Sequence, residues 1–260
     1  MRTRCAFFAI SSSLNPDLQV FEQPAQVAQA LAQLFIDSAR IAIAEAGRFR
    51  VALAGGTTPQ AAYELLGQEP LREGVFWSDA FIYFGDERCV PSENEQSNFR
   101  MANEAFLSRI EIPLGNIHRM HGEDEPHAAA ASYARVLVSD MGALPRFDLL
   151  LLGLGPDGHT ASLFPGTPPT TDDALLVRAP FVPKFQTYRL TVTPRVINNA
   201  RHVVFTTQGE EKAAALATVL EGPREPEKYP AQIVNPTSGS LTWLVDRAAA
   251  SQLKNAARFS

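Results

Sequence analysis

The sequence is poor in cysteine, lacks long uncharged apolar runs and has no excess of basic residues. Its two cysteines, Cys5 and Cys89, lie too far apart for a metal-ligand motif, which indicates a reducing compartment and no disulfide framework. The apolar patch within Met1–Ile10 is too short for a signal peptide, and no uncharged stretch is long enough to cross a bilayer. The formal net charge of -5 argues against a nucleic-acid-binding surface. We therefore expect a cytoplasmic protein with no membrane and no nucleic-acid partner.

Strand patterns and amphipathic helix patterns alternate along most of the chain. The predicted strands are 49–54, 80–85, 147–152, 188–193, 202–207 and one that starts at 241, with an extended segment at 175–179. The predicted helices are 24–46, 60–66, 98–110, 125–141 and 210–220. This alternation predicts an α/β fold in which a mostly parallel sheet carries helices on both faces. With 45% hydrophobic residues and no internal repeat or linker, we expect a single domain over residues 1–260.

The apolar strand predicted at 147–152 runs into a glycine-rich turn, Gly153–Gly158, which is followed by His159. Open α/β sheets bind ligands beyond the carboxyl ends of such strands, so Asp157 and His159 are candidates for a catalytic pair. The turn satisfies the G-x-G-x-x-G pattern, but Pro156 and the lack of an acidic residue about twenty positions later argue against a dinucleotide fingerprint. A purely structural glycine turn is the alternative.

A second glycine turn, Gly55–Pro59, joins a predicted strand to a predicted helix. Its backbone N–H groups and the hydroxyls of Thr57 and Thr58 are placed to bind an anion at the positive end of the helix dipole. Gly55 and Gly56 would let the backbone approach a phosphate closely. The alternative is a tight turn in which a threonine caps the helix.

Charged residues follow the apolar strand that precedes Gly85. Arg88 could bind a phosphate or stabilise an oxyanion, or it could form an ion pair with Asp86 or Glu87. Lys212, at the start of a predicted helix where a lysine opposes the dipole, is a further anion-binding candidate. Weaker candidates of the same kind are Lys184 and Arg189.

The remaining histidines do not suggest a metal centre. His118, His121 and His127 lack carboxylate or thiolate partners at ligand spacing, so we expect no metal and treat them as surface residues. Nucleophilic catalysis has no support, because no G-x-S-x-G motif occurs and Ser162 lies in the same turn as His159.

Several ordered segments together resemble the 6-phosphogluconolactonases, which belong with the glucosamine-6-phosphate deaminases. The segments are Gly55–Pro59, Gly85–Pro91 with Gln96–Asn98, Gly153–Gly166, Arg189–Thr193, Gly209–Lys212 and Leu241–Ala250. The resemblance spans most of the chain and implies a Rossmann-like, doubly wound α/β fold. It also implies hydrolysis of 6-phospho-D-glucono-1,5-lactone to 6-phospho-D-gluconate, in the oxidative branch of the pentose phosphate pathway, without a cofactor.

Two positions separate the chain from the deaminases, which resemble one another in an Asp-Glu-Tyr segment and in a glutamate five positions after the histidine. Here Arg88 replaces the tyrosine and Phe164 stands where the glutamate would fall, which favours a lactonase. The rival functions are a sugar-phosphate isomerase or deaminase and a non-catalytic sugar-phosphate sensor. We expect a monomer or a small homo-oligomer.

For this reaction we hypothesise a role for each candidate residue. His159 would act as general base, Asp157 would orient it, and Arg88 or the turn amides would hold the oxyanion. The expected substrate-binding residues are Gly55, Gly56, Thr57, Thr58, Asp86, Arg189 and Lys212.

Overall fold

The structure is a computed structural model that describes residues 16–167 and 174–255. Cys5, the patch Met1–Ile10 and the end of the proline-rich stretch 165–169 lie outside the described residues. The strands are β1 Asp17–Phe21, β2 Phe49–Leu53, β3 Ala80–Phe84, β4 Asp86–Arg88, β5 Leu149–Gly153, β6 Val177–Arg178, β7 Phe181–Val182, β8 Thr187–Val192, β9 His202–Thr207 and β10 Ser240–Asp246. The helices are α1 Pro24–Ala46, α2 Thr57–Leu66, α3 Asn98–Ala105, α4 Pro126–Met141, α5 Pro194–Ile197 and α6 Ala213–Glu221.

Six strands form a parallel sheet in the order β1-β10-β9-β5-β2-β3. The central strand β5 is buried along its four leucines, as its uninterrupted apolar sequence predicts for a parallel strand covered on both faces. The expected doubly wound, mostly parallel α/β fold is confirmed. The expectation of a single domain over residues 1–260 stays a prediction.

Helix α1 is long and apolar enough to span a membrane by length and composition. Its apolar side chains instead recur at helical spacing and are buried, among them Val27, Leu31 and Phe35. The ring of Phe35 packs edge-on against Phe49 of β2, with 5.2 Å between ring centroids. This burial accounts for the apolar composition. Gly47 ends the helix in the left-handed conformation at a φ of 68°.

A second, smaller sheet is antiparallel and has the order β4-β8-β6, with β7 also paired to β8. Gly85 separates β3 from β4, so the chain passes directly from the parallel sheet into the small one. The register places Asp86 opposite Thr191 and Arg88 opposite Arg189. The small sheet therefore carries charged side chains to the carboxyl edge of the large one.

Several element predictions differ from the structure. Strand β4 was not predicted, because its charged residues show no apolar alternation that would indicate a strand. The half-exposed strand β1 was likewise not predicted. Helix α2 begins at Thr57 rather than at Gln60. Helix α3 ends at Ala105, and a separate 3₁₀ turn follows in place of the predicted continuation to 110.

Candidate active site

The parallel sheet changes winding direction between β2 and β5. From β2 the chain continues to β3 on one side of the pair, and from β5 it continues to β9 on the other side. The connections that leave the carboxyl ends of these two adjacent strands therefore run in opposite directions. A cavity of about 220 Å³ opens at this point. The predicted site residues that line it are Gly55, Gly56, Thr57, Thr58, Asp86, Arg88, His159 and Lys212.

Asp157 and His159 form a hydrogen-bonded pair beside the cavity, through the Asp157 carboxylate and Nδ1 of the imidazole. The Nζ of Lys184 approaches the other carboxylate oxygen of Asp157 at 3.1 Å. Burial by itself would raise the pKa of Asp157, but hydrogen bonds from His159 and Lys184 lower it to about 2. Asp157 is therefore an ionised acceptor at neutral pH, and Nδ1 of a neutral His159 carries the proton. The remaining nitrogen, Nε2, can then accept a proton.

The glycines of the turn allow this pair to form. A Cβ added to Gly155 would lie 2.0 Å from Nδ1 of His159 and 2.8 Å from a carboxylate oxygen of Asp157. Gly158 has a φ of 76° and packs against Tyr229, so it excludes a side chain on conformational and steric grounds. The purely structural interpretation of this turn is therefore insufficient, because its glycines make room for the imidazole.

Phe164 covers the imidazole. The two ring centroids are 4.3 Å apart at an interplanar angle of 31°, and Phe164 is almost fully buried. An aromatic ring in offset contact with the imidazole restricts its rotation. A phenyl ring thus packs directly on His159 where the deaminase pattern has a carboxylate.

The turn Gly55–Pro59, the predicted anion site, lines the same cavity. Gly56, at a φ of 103°, is the N-cap of α2, and no side chain among the described residues caps this helix end. The interpretation of Thr57 or Thr58 as a capping side chain is therefore wrong. Pro59 has no N–H and the N–H of Gln60 bonds to the Gly56 carbonyl, so the N–H groups that α2 offers at the cavity are those of Thr57 and Thr58, which suits an anion. The side chain of Asn98 lies so close to Gly55 that a Cβ there would meet its Oδ1 at 2.0 Å.

Asp86 is held by neighbours from two other segments. One carboxylate oxygen accepts a hydrogen bond of 2.7 Å from the Ser162 hydroxyl, and the other accepts one of 3.3 Å from Nδ2 of Asn98. Arg88 donates to the carbonyl of Gln96, which leaves Asp86 with these two partners rather than with the arginine. The carboxylate is thus fixed at the cavity wall.

Glu87 fixes the position of β4 against α3. Its buried carboxylate accepts hydrogen bonds from the backbone N–H groups of Arg88, Asn98 and Phe99 and from the hydroxyl of Ser97. Burial raises the pKa of Glu87, and the three backbone donors oppose that rise. The carboxylate of Glu87 therefore caps the start of α3. It does not form the ion pair with Arg88 that the sequence left open.

Lys212 lines the cavity from the turn after β9. That turn starts at Gly209, with a φ of 92°, whose N–H donates to the buried carboxylate of Asp246 at 3.1 and 3.2 Å. Asp246 also accepts from the N–H of Ala249 at 2.7 Å. The end of β10 thereby orients the segment that carries the lysine.

Two predicted anion contacts lie outside the lining of the cavity. Lys184 pairs with Asp157 instead, as described above. Arg189 is half-buried and lies over the ring of Phe185, with 5.1 Å to the centroid. Burial and the neighbouring Arg88 lower the pKa of Arg189. It therefore borders the site beside Arg88 without lining the cavity itself.

Sequence reasoning missed residues whose partners are distant in the chain. Asn98 and Ser162 position Asp86. Asp246 positions the turn that carries Lys212. Three further residues extend the cavity wall at the end of β9: Thr206, Thr207 and Gln208. The available signal was indirect: β9 is a parallel strand of the same sheet, so its end lies at the same edge as the ends of β2, β3 and β5.

The expectation that His118 is a surface residue is wrong. Its ring stacks on Tyr83 with 4.6 Å between centroids, and only 21% of its side chain is exposed. Burial lowers the pKa of His118, and the nearby carboxylate of Asp140 opposes that shift. Within the described residues, no group of three histidine, cysteine or acidic side chains is arranged to hold a metal ion.

The chain is similar to proteins of one family along most of its length. The family model of glucosamine-6-phosphate isomerases/6-phosphogluconolactonase matches residues 22–243. A curated 6-phosphogluconolactonase of Synechocystis is 41% identical over 218 residues, which cover 82% of this chain and 88% of that protein. The solved structure of the 6-phosphogluconolactonase from Trypanosoma cruzi superposes with a TM-score of 0.82 at 27% identity, covering 93% of this chain and 98% of that one.

A monomeric glucosamine-6-phosphate deaminase has the same fold. It superposes with a TM-score of 0.78 at 22% identity, covering 91% of this chain and 99% of that one. The architecture is therefore common to two chemistries, and the side chains around His159 must distinguish them.

Proposed function

The chain belongs to the family of glucosamine-6-phosphate isomerases and 6-phosphogluconolactonases, and on that premise we propose that it hydrolyses 6-phospho-D-glucono-1,5-lactone to 6-phospho-D-gluconate. It is an enzyme of sugar-phosphate metabolism that opens a lactone, a carboxylic ester hydrolase of the oxidative pentose phosphate branch. The observation that carries the assignment is the His159 imidazole, bound through Nδ1 to an ionised carboxylate beside a cavity that also holds a helix N-terminus and Lys212.

His159 acts as the general base. With Nδ1 donating to Asp157, Nε2 accepts a proton from a water molecule as that water attacks the lactone carbonyl carbon. Asp157 orients the ring and stabilises the imidazolium that forms, while Phe164 restricts the ring plane. General-base assistance of this type contributes about 10²–10⁴ in rate.

The attack places a negative charge on the former carbonyl oxygen. Collapse of this intermediate breaks the bond between the carbonyl carbon and the ring oxygen, and the imidazolium returns its proton to that leaving oxygen. Arg88 lines the cavity, and the planar fork of its guanidinium suits an oxyanion or a phosphate oxygen. An Arg88→Lys variant separates the two roles: a fall in kcat at constant KM assigns Arg88 to the oxyanion, and a rise in KM at constant kcat assigns it to the phosphate.

The substrate phosphate binds at the N-terminus of α2. Gly55 and Gly56 allow close approach, Thr57 and Thr58 add N–H and hydroxyl donors, and Lys212 supplies a positive charge from the opposite wall. Asp86 accepts a hydrogen bond from a sugar hydroxyl, and Arg189 adds positive charge behind Arg88. This arrangement supports recognition of a phosphorylated sugar lactone over the unphosphorylated one.

The test is hydrolysis of freshly generated phosphorylated lactone, followed by acid release after subtraction of the spontaneous rate. We expect turnover on this substrate, a much lower kcat/KM on the unphosphorylated lactone, and no ammonia from glucosamine 6-phosphate. Ammonia release with no lactone hydrolysis would instead identify a deaminase. We also propose a cytoplasmic location and no nucleic-acid partner, which the two separated cysteines and the acidic net charge support. A monomer or small homo-oligomer stays a prediction.

A further inference from the structure

The turn between β7 and β8, Pro183–Phe185, lies against the catalytic pair although it is distant in sequence. The Nζ of Lys184 is 3.1 Å from Oδ2 of Asp157, whose Oδ1 is bound to Nδ1 of His159. The neighbouring Phe185 packs edge-on against Phe164, with 5.6 Å between ring centroids, and Phe164 covers the imidazole. Lys184 of this turn therefore contacts Asp157, and the adjacent Phe185 packs on the ring of Phe164.

Lys184 is poorly placed for the anion contact that the sequence suggested. It does not line the cavity, and its ammonium group is paired with Asp157 on the side away from the imidazole. About 58% of its side chain is exposed, so the pair is screened by solvent on one side. Its ammonium group thus acts on the charge of Asp157.

We propose that Lys184 is a positioning residue that shares the Asp157 carboxylate with His159 and thereby sets the pH at which the imidazole becomes an effective base. The inference rests on the proposed role of His159. A carboxylate stabilises the imidazolium less when a second cation also draws on its charge, and the lysine repels the imidazolium directly. Both effects keep the imidazole unprotonated to lower pH.

Other ionisable groups of the surrounding elements line the cavity beside the pair or border it. They are Asp86 and Arg88 from β4, Arg189 from β8, Lys212 from the turn after β9 and Tyr229, which packs on Gly158. All of them are unchanged in a Lys184 variant. A shift caused by that substitution can therefore be assigned to the lysine.

The experiment compares Lys184→Met with Lys184→Arg, which keeps the positive charge. In Lys184→Met the midpoint of the acid limb of kcat/KM, which reports the free enzyme, should move up by about half a pH unit. The value of kcat above pH 8 should stay within about twofold, KM should be unchanged, and Lys184→Arg should restore most of the original midpoint. Lys228→Met, which breaks an exposed pair with Glu225, is the matched control and should leave the profile unchanged.

An NMR titration of the His159 ring, assigned by comparison with a His159→Asn variant, gives the same midpoint without substrate. The proposal is overturned if the ring titrates at the same pH in Lys184→Met and in the unaltered enzyme. A higher KM with an unchanged midpoint would assign Lys184 to substrate binding instead. Because the titration needs no turnover, it also separates failure of this proposal from failure of the proposed lactonase activity.

Discussion

Asp157 and His159 are two positions apart in the sequence, and their contact depends on a residue that carries no functional group. The imidazole lies against the backbone of Gly155, where a methyl group would overlap Nδ1 at 2.0 Å and Cε1 at 2.1 Å. Only glycine leaves that volume empty. The geometry of the proposed catalytic pair therefore depends on Gly155 as well as on the acid and the base.

A Gly155→Ala substitution should displace the imidazole from the Asp157 carboxylate. We expect kcat to fall by about tenfold to a hundredfold, because a displacement of about 1 Å in a catalytic group costs that much in rate. Steady-state turnover and the melting temperature should be measured together. Gly115→Ala adds the same methyl group where no atom lies within 4 Å, so it serves as the control. Unchanged turnover in Gly155→Ala would show that the ring position is not critical.

The sequence predicted this pair because polar residues directly follow an apolar strand. It did not predict Ser162 as a partner of Asp86, because the two are 76 positions apart and an isolated serine carries no indication of its partner. The same holds for Lys184, which meets Asp157 only after β7 and β8 have paired. Local pattern locates groups at a strand end, whereas long-range packing determines what each group contacts.

At the scale of elements, strand ends hold the turns that carry function. The C-terminal residue of β10, Asp246, binds the N–H of Gly209 and so connects β10 to the turn that follows β9 and carries Lys212. Asp246 is almost fully buried, so its removal would leave these N–H donors unpaired.

An Asp246→Ala variant should therefore lose substrate affinity and stability together. We expect the free energy of unfolding to fall by about 1–3 kcal/mol for the unpaired donors. KM for the phosphorylated lactone should rise in the same direction as in Lys212→Ala, with a smaller change in kcat. Asp246→Asn retains one acceptor oxygen, so its KM and its free energy of unfolding should lie between those of Asp246→Ala and of the unaltered enzyme. An unaltered KM in a folded Asp246→Ala enzyme would contradict a role for β10 in placing the lysine.

Elements with strong local signals were predicted correctly, and those formed by distant pairing were not. Helix α1 and strand β9 have the predicted bounds, since each combines a clear apolar period with a defined end. Strand β4 consists of charged residues and exists because β8 pairs with it. Its strand conformation is fixed by tertiary pairing, which overrides local propensity.

At the scale of the whole molecule, the order of strands places the site. The sequence indicated polar turns after three apolar strands but not that β2 and β5 are neighbours from which the chain diverges. Adjacency of strands distant in sequence follows from the winding of the entire sheet. This arrangement brings the Gly55 turn and His159 to one cavity.

The ion pair between Arg119 and Glu123 should make the free energy of unfolding fall in acid. Hydrogen bonding by Arg119 lowers the pKa of Glu123 from 4.5 to about 2. A lowered carboxyl pKa stabilises the fold above pH 4.5, and this contribution is lost as the pH falls towards 2. Glu123→Gln should cost about 1 kcal/mol at pH 7 in urea unfolding, after allowance for solvent screening. The difference should shrink steadily below pH 4.5, and a pH-independent difference would contradict this assignment.

The central claim is that His159 removes the proton from the attacking water in the cavity at the end of β5. The most direct measurement is kcat of His159→Asn on freshly prepared phosphorylated lactone, with spontaneous hydrolysis subtracted and the fold checked by circular dichroism. We predict a fall of about 10²–10⁴ in kcat with the fold retained, the contribution expected of a general base. A folded His159→Asn enzyme with undiminished turnover would contradict the account.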